Sequence, residues 1–441
     1  MLAHRCDHTW LRAARARVHR AGDDGFSIIE LIVSLTIFSL LVGTLVTLIA
    51  SGLQAARSNK DRSVATHLAS QDMDAIRQES FSAITIGQSS HNVRVNSVRY
   101  RVKREVQWVA NSATNNACDS TGSSPRVLRA SVTVTWPNMR GAQAVVTSTE
   151  VSPPVGSYDP DNGHIAVRVR DSNASPLGGA PVRVIGAAYD QTQTTLDESG
   201  CAFFGFLAPG TYSVTLGTPG WVDRQSNGIP SQSVGVTATT VSSVAFDYDL
   251  AGTINLSLRG ADGGVPASSV PVTLANTGLV PAGLRAIAGT GVGRTLAGLF
   301  PFSDGYQLWA GDCADADPEG LDASGTRYWP SAPRDNAITV EPGASTSATV
   351  TMPTVDLEFE RSTAGSAVSV VAVHAADGAC SSGATLTLAS FSGLSGSMLV
   401  AIPYGAWSIQ AVGEPTPSGG WPDVVMDPSH SGAVKADIRI P

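Results

Sequence analysis

From Leu31 to Ala56 the chain carries no charged side chain, a run of 26 residues broken only by small hydroxyls, glycines and one glutamine. At about 1.5 Å per residue a helix over that run is about 39 Å long, enough to cross a hydrocarbon layer of roughly 30 Å. Beyond it, Val64, Leu68, Ala69, Met73 and Ile76 recur three or four residues apart with polar residues between them. That spacing predicts that the helix continues as an amphipathic one, covering about residues 26–80. From Val93 the period falls to two: VRVNSVRYRVKREVQWVA (Val93–Ala110), VLRASVTVTW (Val127–Trp136) and AQAVVTSTEV alternate polar and apolar residues, with Pro137–Gly141 as a turn. A small antiparallel sheet over 91–151 is predicted, on which the apolar stripe of the helix can pack. The Asn, Ser and Thr of Asn111–Ser124 predict an exposed loop.

After a proline- and glycine-rich linker, 152–162, the pattern becomes strand, proline–glycine turn, strand. The phrase LAPGTYSVTL (Leu207–Leu216) is echoed by LFPFSDGYQLWA (Leu299–Ala310) and IPYGAWSIQAV (Ile402–Val412), each setting a proline, a glycine and an aromatic ahead of a strand. The prolines Pro209, Pro301 and Pro403 lie 92 and 102 residues apart. This predicts three tandem β-sandwich modules of the Ig-like or prealbumin-like kind, at 163–249, 250–353 and 354–441. The expected fold class is therefore α+β at the N-terminus, a long membrane-spanning helix on a small sheet, and all-β beyond it. Charged residues make up 15% of the chain, while Gly (44) and Pro (25) are abundant, as many short strands joined by turns require.

Charge gives the orientation. Met1–Gly25 carries five arginines against three aspartates, a net charge of +2, and positive charge beside a span stays cytoplasmic. The remaining chain has 24 basic and 34 acidic side chains, net −10, with no stripe that would follow a phosphate backbone, so nucleic acid is not an expected partner. The basic group Arg99, Arg101, Lys103 and Arg104 reads as the solvated face of a strand.

Glu30 stands at the head of the apolar run, where an acid is costly and calls for a partner. A cut between Gly25 and Phe26 would free an α-amine one helical turn away. Gly25-Phe26 followed by Ser27-Ile28-Ile29-Glu30-Leu31 and the apolar helix resembles the class III leader junction of type IV prepilins and type II secretion pseudopilins. The resemblance implies a leader at 1–25, cleavage after Gly25 and N-methylation of Phe26 by a prepilin peptidase. It also implies a role for Glu30 in aligning subunits, a pilin-like domain at 26–151, and other pilin subunits and their assembly machinery as partners. It places the chain in the membrane through helix 26–53 before assembly, with the C-terminal part outside, and on the cell surface afterwards. Many major pilins kink this helix with a proline, but none occurs between Phe26 and Ser124, which together with the length favours a minor pilin. The first module, from about Gly163 to Asp249, is similar to carboxypeptidase regulatory-like and Cna-B-like sandwiches. The lysine–asparagine cross-link of some Cna-B domains is not expected in the first two modules, because no lysine lies between Lys103 and Lys435.

Four cysteines remain after the leader: Cys118, Cys201, Cys313 and Cys380. Three pairings are open to them, as are free buried thiols. Cys313 with Cys380 is favoured because both sit in late Gly/Asp-rich turns, and Cys118 with Cys201 then follows by elimination. Asp312, Asp315, Asp317 and Glu319 put four carboxylates within eight residues, a weak calcium candidate whose alternative is a solvated acidic turn. The five histidines after the leader are scattered, and no nucleophile elbow, HExxH helix or phosphate loop occurs, so neither an enzyme nor a cofactor is expected. Trp221, Trp309, Tyr328, Trp329, Trp407 and Trp421 fall near module ends, where they either plug the sandwiches or offer a surface glycan or protein a stacking face. The sequence thus leaves a filament subunit, an adhesin and a pseudopilin as the competing roles.

Overall fold

The computed structural model describes residues 27–109, 118, 127–137, 139, 143–153, 161–322, 324–330, 332–374, 385–429 and 431–441. The leader, Gly25, Phe26, Cys380, His430 and most of the 111–124 loop and of the linker lie outside them.

A single helix α1 (Ile28–Gln78) extends for 51 residues, about 77 Å at the α-helical rise. Its two halves differ. Every side chain from Ile28 to Lys60 is exposed. The second half buries Ala65, Leu68, Ala69, Met73 and Ile76 on one face, against a sheet of β1 (Gly87–Val95), β2 (Val98–Val109), β3 (Val127–Thr135) and β4 (Val145–Val151). The four strands form an antiparallel meander in chain order. Met73 and Ile76 are 1% and 0% exposed, each contributing roughly 1.5–3 kcal/mol by burial. Arg104 on β2 clamps the helix end, with one guanidinium nitrogen 3.1 Å from Asp72 and another 2.9 Å from Glu79. The long alternating stretch from Val93 is split by a two-residue turn at Asn96–Ser97, both at positive φ (48° and 68°), which pairs Val95 with Val98.

The rest of the chain is built from one topology used three times. The first unit contains β5 (Gly163–Arg170), β6 (Pro181–Gly186), β7 (Tyr189–Thr194), β8 (Cys201–Leu207), β9 (Gly210–Leu216), β10 (Trp221–Asp223), β11 (Ser231–Val236) and β12 (Val241–Leu250). The second contains β13 (Gly252–Gly260), β14 (Val265–Pro266), β15 (Val272–Ala275), β16 (Leu284–Ile287), β17 (Gly293–Leu299), β18 (Gln307–Ala310) and β19 (Ser345–Met352). The third contains β20 (Thr354–Arg361), β21 (Val368–His374), β22 (Thr385–Phe391), β23 (Ser395–Ala401), β24 (Gly405–Ala411), β25 (Asp423–Met426) and β26 (Val434–Ile440).

In each unit the first strand pairs in parallel with the last: β5 with β12, β13 with β19, β20 with β26. On its other side the first strand pairs antiparallel with β8, β17 or β23. A second sheet faces the first, centred on β6–β9, β15–β18 or β21–β24. The three echoed phrases each lead into the strand that completes this second sheet, β9, β18 and β24. The architecture is thus the long N-terminal helix followed by many strands in packed sheets that the sequence pattern calls for.

Candidate assembly site and the seam behind it

Glu30 lies in the first turn of α1, where the exposed N–H groups and the helix dipole favour a negative charge. The apolar half that follows hides its own polar atoms. The hydroxyls of Thr36, Ser39, Thr44, Thr47 and Ser51 each donate to the carbonyl three residues earlier, at 2.8–2.9 Å, so the helix surface offers little but hydrocarbon. Ile28, Phe38 and Leu48 are 78%, 67% and 71% exposed. The described part of the chain covers none of this surface, and its length and composition suffice to cross a bilayer.

Behind the helix, the head is fused to the first sandwich. Cys118 and Cys201 form a disulfide across 83 residues of sequence. The same apolar cluster that holds Met73 and Val132 also takes in Ala166, Cys201, Phe203 and Val241 of the sandwich. Trp108, 1% exposed, stands at the centre, with Phe81 edge-on at 5.9 Å and Phe206 at 5.5 Å. His164 is stacked on Phe203 at 5.4 Å, and its Nδ1 accepts the Phe206 N–H at 3.2 Å. That bond leaves the proton of the neutral ring on Nε2, and burial lowers the pKa to about 4. At the rim, Lys103 Nζ is 2.8 Å from Asp197, which also accepts from Gln88 at 3.1 Å. Lys103 holds the Asp197 carboxyl below its ordinary range. The alternating pattern puts Lys103 on a solvated face and marks neither Trp108 nor His164 as part of a seam; the fold brings all three to it.

The acidic turn is used internally. Asp315, buried, faces His374 Nε2 with its two oxygens at 3.0 and 2.9 Å and accepts the Ala406 N–H at 3.3 Å. Asp317 makes a two-pronged pair with Arg334 at 2.8 and 2.6 Å, and the guanidinium lies 4.7 Å from the centre of the Trp309 ring. Glu319 accepts the Arg334 backbone N–H at 3.4 Å, while Asp312 points to solvent. The four carboxylates therefore do not converge. Among the described residues, Cys313, Asp315 and His374 come close enough to share an ion, but Cys313 is disulfide-bonded and supplies no thiolate. Its favoured partner, Cys380, is outside the described residues. Trp309 and Trp407 are 4% exposed, and Trp221, Tyr328, Trp329 and Trp421 are half-buried. Of the two readings open for these aromatics, Trp309 and Trp407 take the plugging one, while the other four keep part of their surface exposed.

An exposed apolar helix with an acid in its first turn thus leads into a second half packed on an antiparallel sheet. The particular match is to the family profile for the prokaryotic N-terminal methylation motif, at residues 20–46. Among curated proteins none matches. Similar solved structures include the Bacillus anthracis TIE protein, at 11% identity and TM-score 0.20 over 82% of this chain and 76% of that one. The minor pilin of Streptococcus agalactiae gives 14% identity and TM-score 0.19 over 43% of this chain and 95% of its own. The major pilin subunit of Bacillus cereus gives 11% identity and TM-score 0.19 over 63% and 99%.

Proposed function

We propose that this chain is a minor, type IV pilin-like structural subunit. A prepilin peptidase cuts it after Gly25 and methylates Phe26, and the helix up to about residue 53 holds it as a single-pass membrane protein with the sandwiches outside. On assembly that helix leaves the lipid for the filament core, and Glu30 pairs with the methylated amine of a neighbouring subunit. The observation that carries the reading is the division of α1: an apolar half that no described residue covers, led by the methylation motif, and a second half buried in its own domain. A helix built to fold with its own chain would bury both halves. Display is favoured over glycan binding because none of the six aromatics near the sandwich ends is fully exposed, and Trp309 and Trp407 are buried.

Removing one partner of a buried ion pair costs about 3–5 kcal/mol, and about 1.4 kcal/mol already shifts an equilibrium tenfold. Glu30→Ala is therefore expected to leave cleaved subunit in the membrane fraction and to lower its amount in sheared surface material by about tenfold or more. Wild-type amounts in the sheared fraction would remove the assigned role of Glu30.

A further inference from the structure

We infer that the head and the three sandwiches form one rigid body, so that the third sandwich is held at a fixed distance and direction from the assembly helix and does not swing on tethers. The inference stands apart from the filament reading, since it concerns only how the parts of this chain are joined.

The joints between sandwiches leave no room for a hinge. β12 ends at Leu250 and β13 begins at Gly252, with Ala251 alone between them; β19 ends at Met352 and β20 begins at Thr354, with Pro353 alone between them. Ala251 is itself fixed by its N–H, which donates to Gly220 O at 2.8 Å. A flexible Gly-rich linker needs several residues before its ends part by more than about 10 Å. One residue with an occupied hydrogen bond, or a proline with its φ locked, cannot act as one.

Side chains then lock each joint with a different chemistry. Between the head and the first sandwich the lock is the Cys118–Cys201 disulfide with Trp108 and Phe206 packed beside it. Between the first and second it is a turn after β10: Asp223 Oδ1 accepts the N–H groups of Gln225 and Asn227, both at 2.8 Å, which presents Gln225 outward. The Gln225 amide donates to Gly278 O at 2.9 Å and accepts the Val280 N–H at 2.9 Å, a two-bond splint onto the next unit. Arg285 reaches back to Ser226 Oγ at 2.7 Å. Between the second and third, β14 crosses over to pair with β23, adding a strand of one unit to the sheet of the next. The buried Asp315–His374 contact spans the same joint, and one continuous apolar cluster runs from Ile254 to Ile440. Each joint thus combines a short or covalently tied connection with contacts across it, and loosening any one of the three would let the third sandwich swing.

The test is a distance distribution measured by double electron–electron resonance on the detergent-solubilised full chain. Spin labels are carried by unnatural amino acids at the exposed positions Ser90 in the head and Glu360 in the third sandwich, which spares the cysteines. A variant with six Gly/Ser residues inserted after Leu250 gives the flexible reference, its insert reaching about 13 Å. A second label pair inside the first sandwich, Asn173 with Ser231, reports in each protein that the unit is folded. The inference predicts one narrow Ser90–Glu360 distribution, about as narrow as the Asn173–Ser231 pair, that broadens on insertion while the inner pair does not. A wild-type distribution as broad as that of the insertion variant would overturn it.

Discussion

Trp108→Ala is expected to loosen the head and the first sandwich together. Trp108 is 1% exposed and touches aromatic rings from both sides, Phe81 of the head and Phe206 of the sandwich. Truncating a buried Trp to Ala costs about 3–5 kcal/mol through lost transfer energy and the cavity left behind. A chain of several domains does not unfold in one step, so the proper readout is local: hydrogen exchange of β2 and β8 in the intact protein. Amides on both strands are expected to exchange at least about a hundredfold faster, as openings there draw on the same lost energy. Acceleration on β2 alone would mean that the head closes its core without the sandwich. Trp108→Phe is the informative partner. The indole N–H finds no acceptor among the described residues, and an unmet buried donor costs about 1–3 kcal/mol, so the smaller ring offsets part of its lost volume by removing that donor.

The second expected effect is a loss of seam stability in mild acid that depends on His164. The ring is 2% exposed, its Nδ1 is occupied as an acceptor, and burial lowers its pKa to about 4. The unfolded chain protonates an ordinary histidine near pH 6.5, so between pH 6.5 and about 4 the unfolded state binds more protons than the folded one. Stability therefore falls as pH falls through that window, by about 3 kcal/mol when complete. Protonation of Nδ1 also turns the acceptor for the Phe206 N–H into a donor, so the two must part. Glu105, whose pKa burial raises, titrates in the opposite sense at the low end, and the comparison of wild type with His164→Asn separates the two. Asn can still accept the Phe206 N–H but does not titrate. Protection of the β8 amides is expected to fall steeply from pH 7 to 4.5 in wild type and much less in the variant. Parallel profiles would assign the acid sensitivity elsewhere.

Much of this could be read from periodicity. The switch from a three-to-four spacing at Val64–Ile76 to a spacing of two after Val93 marks where the helix gives way to the sheet, because burial on one face imposes those periods directly. The turn at Asn96–Ser97 was hidden inside an alternating stretch. It has no glycine or proline, and Asn96, which tolerates a positive φ, is a weak turn signal when followed by Ser97. The seam left a trace that was available: Cys201–Leu207 reads CAFFGFL, apolar at nearly every position. A strand of an ordinary two-layer sandwich alternates, whereas one covered on both faces does not. Here the head supplies the second cover. The acidic turn misled because local spacing shows only that Asp315 and Asp317 are near each other in sequence. Their partners, His374 and Arg334, lie 59 and 17 residues away, and desolvated charges take whatever partner the fold brings to them.

The mass of the N-terminal peptide of the protein recovered from the cell envelope, and of the same peptide from sheared surface material, tests the central claim most directly. A mature chain that begins with N-methylated Phe26 in both fractions is the predicted result. An intact leader, or a first residue beyond Ala50, would contradict it and leave an anchored or secreted β-sandwich protein in place of a filament subunit.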